Sequence, residues 1–374
     1  MRFASTLEHI IPYEPGAPLE LVMRRFGLTQ VAKLASNEFP LPPFDEVKRA
    51  IVAALDELNR YPDGNATDLR AALADHYGRT PAEIIVGNGS CELLMLLGEA
   101  LLEAGDEVVF ADPSFVMYND ICVRRGARAR ALPSIELRHD LEGMAAAVGL
   151  RTKMVIVCNP NNPTGTYEPA ARVARLVEQV PDDVLVVVDE AYNEFVTAPD
   201  SQDTLAIQRA HQNVCVLRTF SKIYGLCGLR VGYGLCSPEL AGALDKVRQP
   251  FNVNRLAQVA AREALLYQDQ VAQRREMNAE VREYMVQRLT EMGRATIASE
   301  ANFMLVDMRD LCHPQEEVCG ALMSMGAIVR DGNALGCPGW ARVSIGTRQE
   351  TDFFLAKLAD LVPSAVAGSE GRSS

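Results

Sequence analysis

The sequence predicts an α/β protein: a large domain with a mostly parallel seven-stranded sheet covered by helices, plus a smaller α/β C-terminal domain. Three observations carry that expectation. Between residues 83 and 236, short and almost wholly apolar runs alternate with segments of helical periodicity. That is the pattern of strands buried on both faces and joined by crossover helices. After residue 250 the texture changes to a long charged helical stretch and then a second, shorter α/β alternation. The chain has 374 residues and 48% hydrophobic content, ample for more than one core.

In chain order, residues 1–30 are read as an N-terminal arm that packs elsewhere. The large domain is assigned to 31–250. Its strands are expected at "EIIVG" (83–87), "DEVVFA" (106–111), "ARARAL" (127–132), "MVIVCN" (154–159), "VLVVVDE" (184–190), "VCVLRT" (214–219) and "RVGYGL" (230–235). Between them, "CELLMLLGEALLEA" (91–104) and "LEGMAAAVG" (141–149) place apolar residues at helical spacing. Residues 251–362 are read as a connecting helix (254–293) and a small C-terminal domain. The latter contains "NFMLVDM" (302–308), a helix near 314–325, "AIVR" (327–330), "WARVSIG" (340–346) and a final helix over 350–361. The tail 363–374, "SAVAGSEGRSS" after Pro363, is small and polar and is expected to be disordered. No fixed-period repeat is present.

Composition narrows the function classes. The net charge is −12 with a pI near 5.1, and no basic cluster stands out, so nucleic acid is not an expected partner. The nine cysteines are scattered without a C-x-x-C pair, and the five histidines stand far apart. Reduced thiols in a cytoplasm are the simplest account, and no metal is expected. The N-terminus has no apolar signal core, and no apolar stretch approaches about twenty residues, so membrane insertion is not expected.

Four stretches, each closing an expected strand, carry chemistry. In "VGNGSCELL" (86–94) a strand gives way to glycines and a helix start, where free N–H groups and the helix dipole favour an anion. Alone it reads equally well as a tight turn, because the dinucleotide fingerprint is incomplete. "CNPNNPTG" (158–165) sets rigid prolines among asparagine donors and acceptors at a strand's carboxyl end, the edge where open α/β sheets bind ligands. Asp189 ends the very apolar run "VLVVVDEAY", where a carboxylate needs a partner. A helix N-cap is its plain reading; a protonated ring nitrogen of a ligand is the sharper one. "TFSKIYGLCGLR" (219–230) puts Lys222 within reach of a ligand carbonyl, with Thr219, Ser221 and Arg230 available to a phosphate. Near the end, Arg330 and Arg342 fall on adjacent apolar segments, either facing solvent or binding an anion as a pair.

Taken together, "NPNNPTG", "DEAY" and "TFSK" followed by Gly-Leu-Arg resemble the fold type I aminotransferases that use pyridoxal phosphate. Within them the histidinol-phosphate aminotransferase branch is most similar, on "PYEPGAP" (12–18), "KLASNEFP" (33–40), "YPDG" (61–64), "NFMLV" and "VRDGN…ARVSIGT". The resemblance covers about residues 9–362. It implies that Lys222 holds the cofactor as a Schiff base, that Asp189 pairs with the pyridine nitrogen, and that Tyr192 and Asn162 contact the ring's phenolic oxygen. It implies phosphate contacts from Gly89, Ser90 and Cys91, from Thr219, Ser221 and Arg230, and from Tyr61 of a neighbouring copy in a homodimer. Phe115 would stack on the ring. Tyr13, Asn37, Asn162, Arg330 and Arg342 would face the substrate. Phe115 stands where tyrosine is common, and Cys91 where an aspartate is often found; neither removes a group the chemistry requires.

The residue types suit that chemistry. A carboxylate in a poorly hydrated site raises the pKa of a ring nitrogen and keeps it protonated, which makes the ring an electron sink. A lysine beside the α-carbon serves as general base and then acid. Two half-reactions in one pocket imply ping-pong kinetics, with histidinol phosphate and 2-oxoglutarate as the expected pair in histidine biosynthesis. An aromatic amino-acid aminotransferase, or less readily a phospho-amino-acid decarboxylase, would use the same machinery. A cofactor-sensing regulator or a nucleotide binder finds little support, since no helix-turn-helix or full glycine fingerprint is present.

Overall fold

The computed structural model describes residues 1–361 except positions 2, 4, 11, 13–15, 17, 310 and 312–314. Tyr13 and the tail 363–374 therefore lie outside the described residues. In chain order the strands are β1 (Ala32–Lys33), β2 (Ile84–Gly87), β3 (Glu107–Asp112), β4 (Arg128–Pro133), β5 (Thr152–Cys158), β6 (Leu185–Asp189), β7 (Val214–Thr219) and β8 (Gly232–Leu235). Then follow β9 (Phe303–Asp307), β10 (Ala327–Ile328), β11 (Arg330–Asp331) and β12 (Trp340–Ser344).

β2 to β8 form one seven-stranded sheet in the order β2-β8-β7-β6-β5-β3-β4. The pairs β3·β4, β3·β5, β5·β6 and β6·β7 are parallel, and β8 runs antiparallel to both its neighbours. The continuous apolar runs have a direct cause. Val109, Val155, Val157, Val186, Val188, Val214 and Val216 pack into a core on one face. The alternate residues Val108, Phe110, Met154, Ile156, Val187, Cys215 and Leu217 pack into a second core on the other. With both faces covered, the central positions of these strands are apolar, and polar residues return at the carboxyl ends, where Asp189, Arg218 and Thr219 appear.

The smaller unit is a three-stranded antiparallel sheet, β11-β12-β9, over a core of Met304, Val306, Val329, Ala341, Val343 and Phe354. β1 pairs in parallel with β10, so the segment just after the arm joins this unit. Two expectations are corrected. The run 327–330 is not one strand but two, because Val329 turns into the core between β10 and β11. The connecting stretch is two helices, Arg255–Ala264 and Gln268–Glu291, since the chain leaves helical geometry around Tyr267. The longer helix steadies the lysine-bearing loop. Arg274, buried over the Phe44 ring, donates to the carbonyls of Ile223 (2.7 Å) and Pro42 (2.5 Å).

Candidate active site

The carboxyl ends of β5, β6 and β7 open onto a cleft of about 460 Å³, within the size range of small-molecule sites. Its lining brings together Asn37, Ser90, Cys91, Phe115, Asn162, Asp189, Tyr192, Thr219, Ser221, Lys222, Arg230, Arg330 and Arg342. Residues expected to act together from four separate sequence stretches thus meet in one place, along with two arginines from the smaller sheet.

Register explains the convergence. Cys158 and Asp189 are cross-strand partners at the tips of β5 and β6, and Asp189 pairs with Leu217 of β7, two residues short of Thr219. Asp189 is 2% exposed. Its Oδ2 accepts a hydrogen bond from the Tyr118 hydroxyl at 2.8 Å, while its Oδ1 has no hydrogen-bond partner among the described residues. Burial raises its pKa from 3.8 to about 6, and the Tyr118 bond partly opposes that shift. A buried carboxylate oxygen without a donor is costly. A cationic N–H at that point would complete it.

Lys222 follows β7 and reaches back over the cleft. Its Nζ donates to the Asn37 carbonyl at 3.3 Å and lies 5.3 Å from the centre of the Tyr192 ring. Burial, then the nearby Arg342 charge, lowers its pKa from 10.5 to about 8. A sizeable share of neutral amine is therefore present near pH 8, the form that attacks an aldehyde.

The anion cradle is built at the opposite end. Gly89 precedes the helix Ser90–Leu101, which no side chain caps, so its first N–H groups face the cleft's rim. Gly89 has φ +79°, and a Cβ there would stand 2.5 Å from Arg230 Nη2. Only glycine lets that guanidinium lie across the loop. Arg230 Nη1 donates to Ser221 Oγ at 3.2 Å, and the Ser221 amide donates to Thr219 Oγ1 at 3.1 Å. Burial raises the Cys91 thiol, which leaves it neutral beside this cluster.

The asparagines of "CNPNNPTG" divide their work. Asn159 exchanges two hydrogen bonds with the Glu168 backbone, both 2.8 Å, and Asn161 ties Pro113, Ser114 and Thr164 together. Asn162 alone lines the cleft, its Oδ1 accepting from Arg342 Nη1 at 2.5 Å. Its Nδ2 remains to donate into the cleft. Arg330 and Arg342 are direct cross-strand partners on β11 and β12, so their side chains leave the same face of the sheet. Asn37 donates from Nδ2 to the Tyr192 hydroxyl at 3.1 Å. Phe115 sits at the wall, edge-on to Tyr118 with ring planes at 85°. Tyr61 is outside the cleft of this chain: it is 83% exposed and stacks on Phe251 at 4.7 Å.

Sequence reasoning missed Tyr118, Asn302 and Ser344. Tyr118 reads as a core aromatic of the helix Met117–Arg125, and only the fold brings its hydroxyl to Asp189. Asn302 donates to the Asn37 carbonyl at 3.1 Å, and Ser344 accepts the Asn37 amide proton at 2.9 Å. Nothing in their local sequence marks them apart from the neighbouring arginines.

The residues present fit pyridoxal phosphate. The unpartnered Asp189 Oδ1 suits a protonated ring nitrogen, the Gly89–Arg230 cradle suits a phosphate, and Lys222 supplies an amine between them.

Comparison with known proteins places this geometry. Residues 29–358 match the family model for aminotransferase class I and II. The chain is 46% identical over 354 residues to the histidinol-phosphate aminotransferase of Moorella thermoacetica, covering 94% of this chain and 91% of the relative. It is 44% identical to that of Brevibacillus brevis, with 95% and 96% covered. Among solved structures, histidinol-phosphate aminotransferase from Sinorhizobium meliloti in complex with pyridoxal-5′-phosphate superposes with a TM-score of 0.86 at 32% identity, covering 96% and 97% of the two chains. A double mutant of Thermus thermophilus aspartate aminotransferase gives 0.83 at 25% identity, covering 97% and 100%.

Proposed function

The chain belongs to the aminotransferase class I and II family and is a pyridoxal-phosphate-dependent aminotransferase; from that premise we propose that it moves an amino group between histidinol phosphate and 2-oxoglutarate, yielding imidazole acetol phosphate and glutamate in histidine biosynthesis. Full-length similarity to relatives named for that activity supports the reading. So does the charge of the cleft, and this is the observation that carries it. Lys222, Arg230, Arg330 and Arg342 line it against Asp112 and Asp189. Arg230 would serve the cofactor's phosphate, and the cross-strand pair Arg330 and Arg342 adds positive charge at the same cleft for a second anion. A phosphomonoester and a dicarboxylic oxo acid are both anionic at that end, so one pocket can serve both half-reactions.

When bound, the cofactor supplies the electron sink that acidifies the substrate's α-carbon. The chain does the rest. Asp189 would accept from the ring nitrogen and keep it protonated, with Tyr118 holding the carboxylate ionised. Lys222 anchors the cofactor and, once freed, takes a proton from the α-carbon and returns it as a general acid. Tyr192 and Asn162 would donate to the ring's phenolic oxygen. Gly89, Ser90, Cys91, Thr219, Ser221 and Arg230 would cradle the phosphate, and Phe115 would stack on the ring. Asn37, Arg330 and Arg342 orient the substrate.

The working form is read as a cytoplasmic homodimer. The exposed apolar residues Val52, Leu55, Leu58 and Tyr61 support a second copy, whose own Tyr61 would reach this chain's cofactor phosphate. The described cysteines are all free, and among the described residues no helix is long and apolar enough to cross a membrane. The deciding experiment compares kcat/KM for histidinol phosphate, phenylalanine and tyrosine as donors to 2-oxoglutarate. A preference for histidinol phosphate of about 100-fold, the worth of one charge-assisted anion contact, is expected. Equal or better rates with the aromatic amino acids would assign an aromatic aminotransferase instead.

A further inference from the structure

We propose that Ser344 sets the direction of the Tyr192 hydroxyl proton by fixing the side-chain amide of Asn37 between them, and so acts as a positioning residue for the cofactor's phenolic oxygen. The inference deepens the reading above and rests on pyridoxal phosphate lying against Tyr192.

Asn37 is buried and has φ +52°, a left-handed conformation that asparagine tolerates. Its backbone is held at both ends. The amide donates to Ser344 Oγ at 2.9 Å, and the carbonyl accepts from Lys222 Nζ at 3.3 Å and Asn302 Nδ2 at 3.1 Å. What remains free is which end of the side-chain amide faces which neighbour. Nδ2 faces the Tyr192 hydroxyl at 3.1 Å, and Oδ1 faces Ser344 Oγ at 3.4 Å.

Ser344 decides between the two orientations. Its oxygen already accepts the Asn37 amide proton, and its own proton has Asn37 Oδ1 as its acceptor. Turned through 180°, the amide would present Nδ2 to Ser344 and strand that hydroxyl proton in a site only 2% exposed. The observed orientation makes Tyr192 an acceptor from Asn37. A phenol that accepts there keeps its one proton for something else. Among the described residues no acceptor for it is present, and Tyr192 lines the cleft. In the flipped orientation Tyr192 would donate to Oδ1 and turn its proton away. Ser344 lies two residues from Arg342 on β12, so one strand face carries both the anion-binding guanidinium and the group that orients Tyr192.

The test is a spectrophotometric pH titration of the pyridoxal-phosphate-loaded protein without substrate. A donor aimed at the phenolic oxygen favours the more negative chromophore and lowers its midpoint; losing the donor raises it. Ser344→Ala is expected to raise the midpoint by about 0.5–1 unit, part of the worth of a hydrogen bond to a charged oxygen. Ser344→Thr, which keeps the hydroxyl, should retain the wild-type midpoint. In a Tyr192→Phe background, Ser344→Ala should add no further shift. An unchanged midpoint in Ser344→Ala, or an equal shift in both backgrounds, overturns the proposal while leaving the cofactor assignment intact. Absence of any visible band in the loaded wild-type protein overturns that assignment and this inference with it.

Discussion

Replacing Tyr118 with phenylalanine isolates one hydrogen bond at the centre of the site. The Tyr118 hydroxyl donates to Asp189 Oδ2 at 2.8 Å, and the ring is fully buried, so phenylalanine preserves the packing. Tyr118 itself is held well above its usual pKa by burial and then by the Asp189 charge, so it is a donor at any working pH. A hydrogen bond to a charged group contributes about 1.5–3 kcal/mol, which corresponds to roughly 1–2 pKa units. Without it, Asp189 should rise from about 6 toward about 7.5 in the cofactor-free protein. An acid whose pKa rises loses its charge at higher pH, so binding that needs the carboxylate fails earlier on acidification. The assay is titration with pyridoxamine phosphate, which has no aldehyde and makes no bond to Lys222. Its own titrations cancel in the ratio of wild-type to mutant affinity. That ratio should be near unity at pH 9, about fourfold at pH 7 and more than tenfold at pH 6. A ratio that stays constant across this range would refute the claim that Tyr118 acts through the ionisation of Asp189.

Three further outcomes are expected. Lys222→Ala should abolish transamination and the visible absorbance of the loaded protein; in the wild-type apoprotein, the rate of aldehyde capture should rise with pH through about 8, because burial holds the ammonium there and only the neutral amine attacks. Stopped-flow absorbance reads both, and full turnover in the mutant would defeat the lysine's role. Asp189→Asn should still take up cofactor while kcat drops by at least about 100-fold, since a neutral amide does not keep the ring nitrogen protonated; steady-state kinetics at saturating cofactor measures it. Arg330→Ala should raise KM for the phosphorylated donor by about 30-fold or more with a smaller change in kcat, as expected for loss of a charge-assisted contact made equally in ground and transition states.

How much of this was legible in the sequence depends on the range of the interaction that sets each feature. The strands of the large sheet were readable because burial on both faces leaves a local trace: Val184–Val188 has no polar position to confuse the pattern, and the first one that appears, Asp189, is the functional residue. The two-residue strand Ala32–Lys33 was not readable, since two residues carry no period and its partner lies at Ala327–Ile328. Lys222, Asp189 and Arg230 stood out as charges at the ends of apolar runs. Tyr118, Asn302 and Ser344 did not, because each is an ordinary residue of its element and acquires a role only from a neighbour distant in sequence. Tyr118 is 71 positions from Asp189, and Ser344 is 307 from Asn37. The three asparagines of residues 159–162 show the same limit. Their clustering was visible, but that Asn162 alone faces the cleft follows from loop closure by the other two.

The two central groups also explain why the site is built against the stability of the cofactor-free fold. Burial raises Asp189 to about 6 and lowers Lys222 to about 8. The carboxylate's contribution to folding is greatest below its unfolded pKa of 3.8 and is lost as pH rises through about 6. The ammonium's is greatest above 10.5 and is lost as pH falls through about 8. Between those two values both groups are charged in surroundings that resist charge, each at a cost of roughly 3 kcal/mol. For Asp189 that cost already includes the attraction of the Lys222 charge, and among the described residues its Oδ1 has no hydrogen-bond donor. With pyridoxal phosphate bound, the carboxylate has a cationic partner and the amine is no longer a free ammonium. The same burial that penalises the empty site therefore makes cofactor binding favourable near neutral pH, and apolar substitution at either position would remove the penalty and the affinity together.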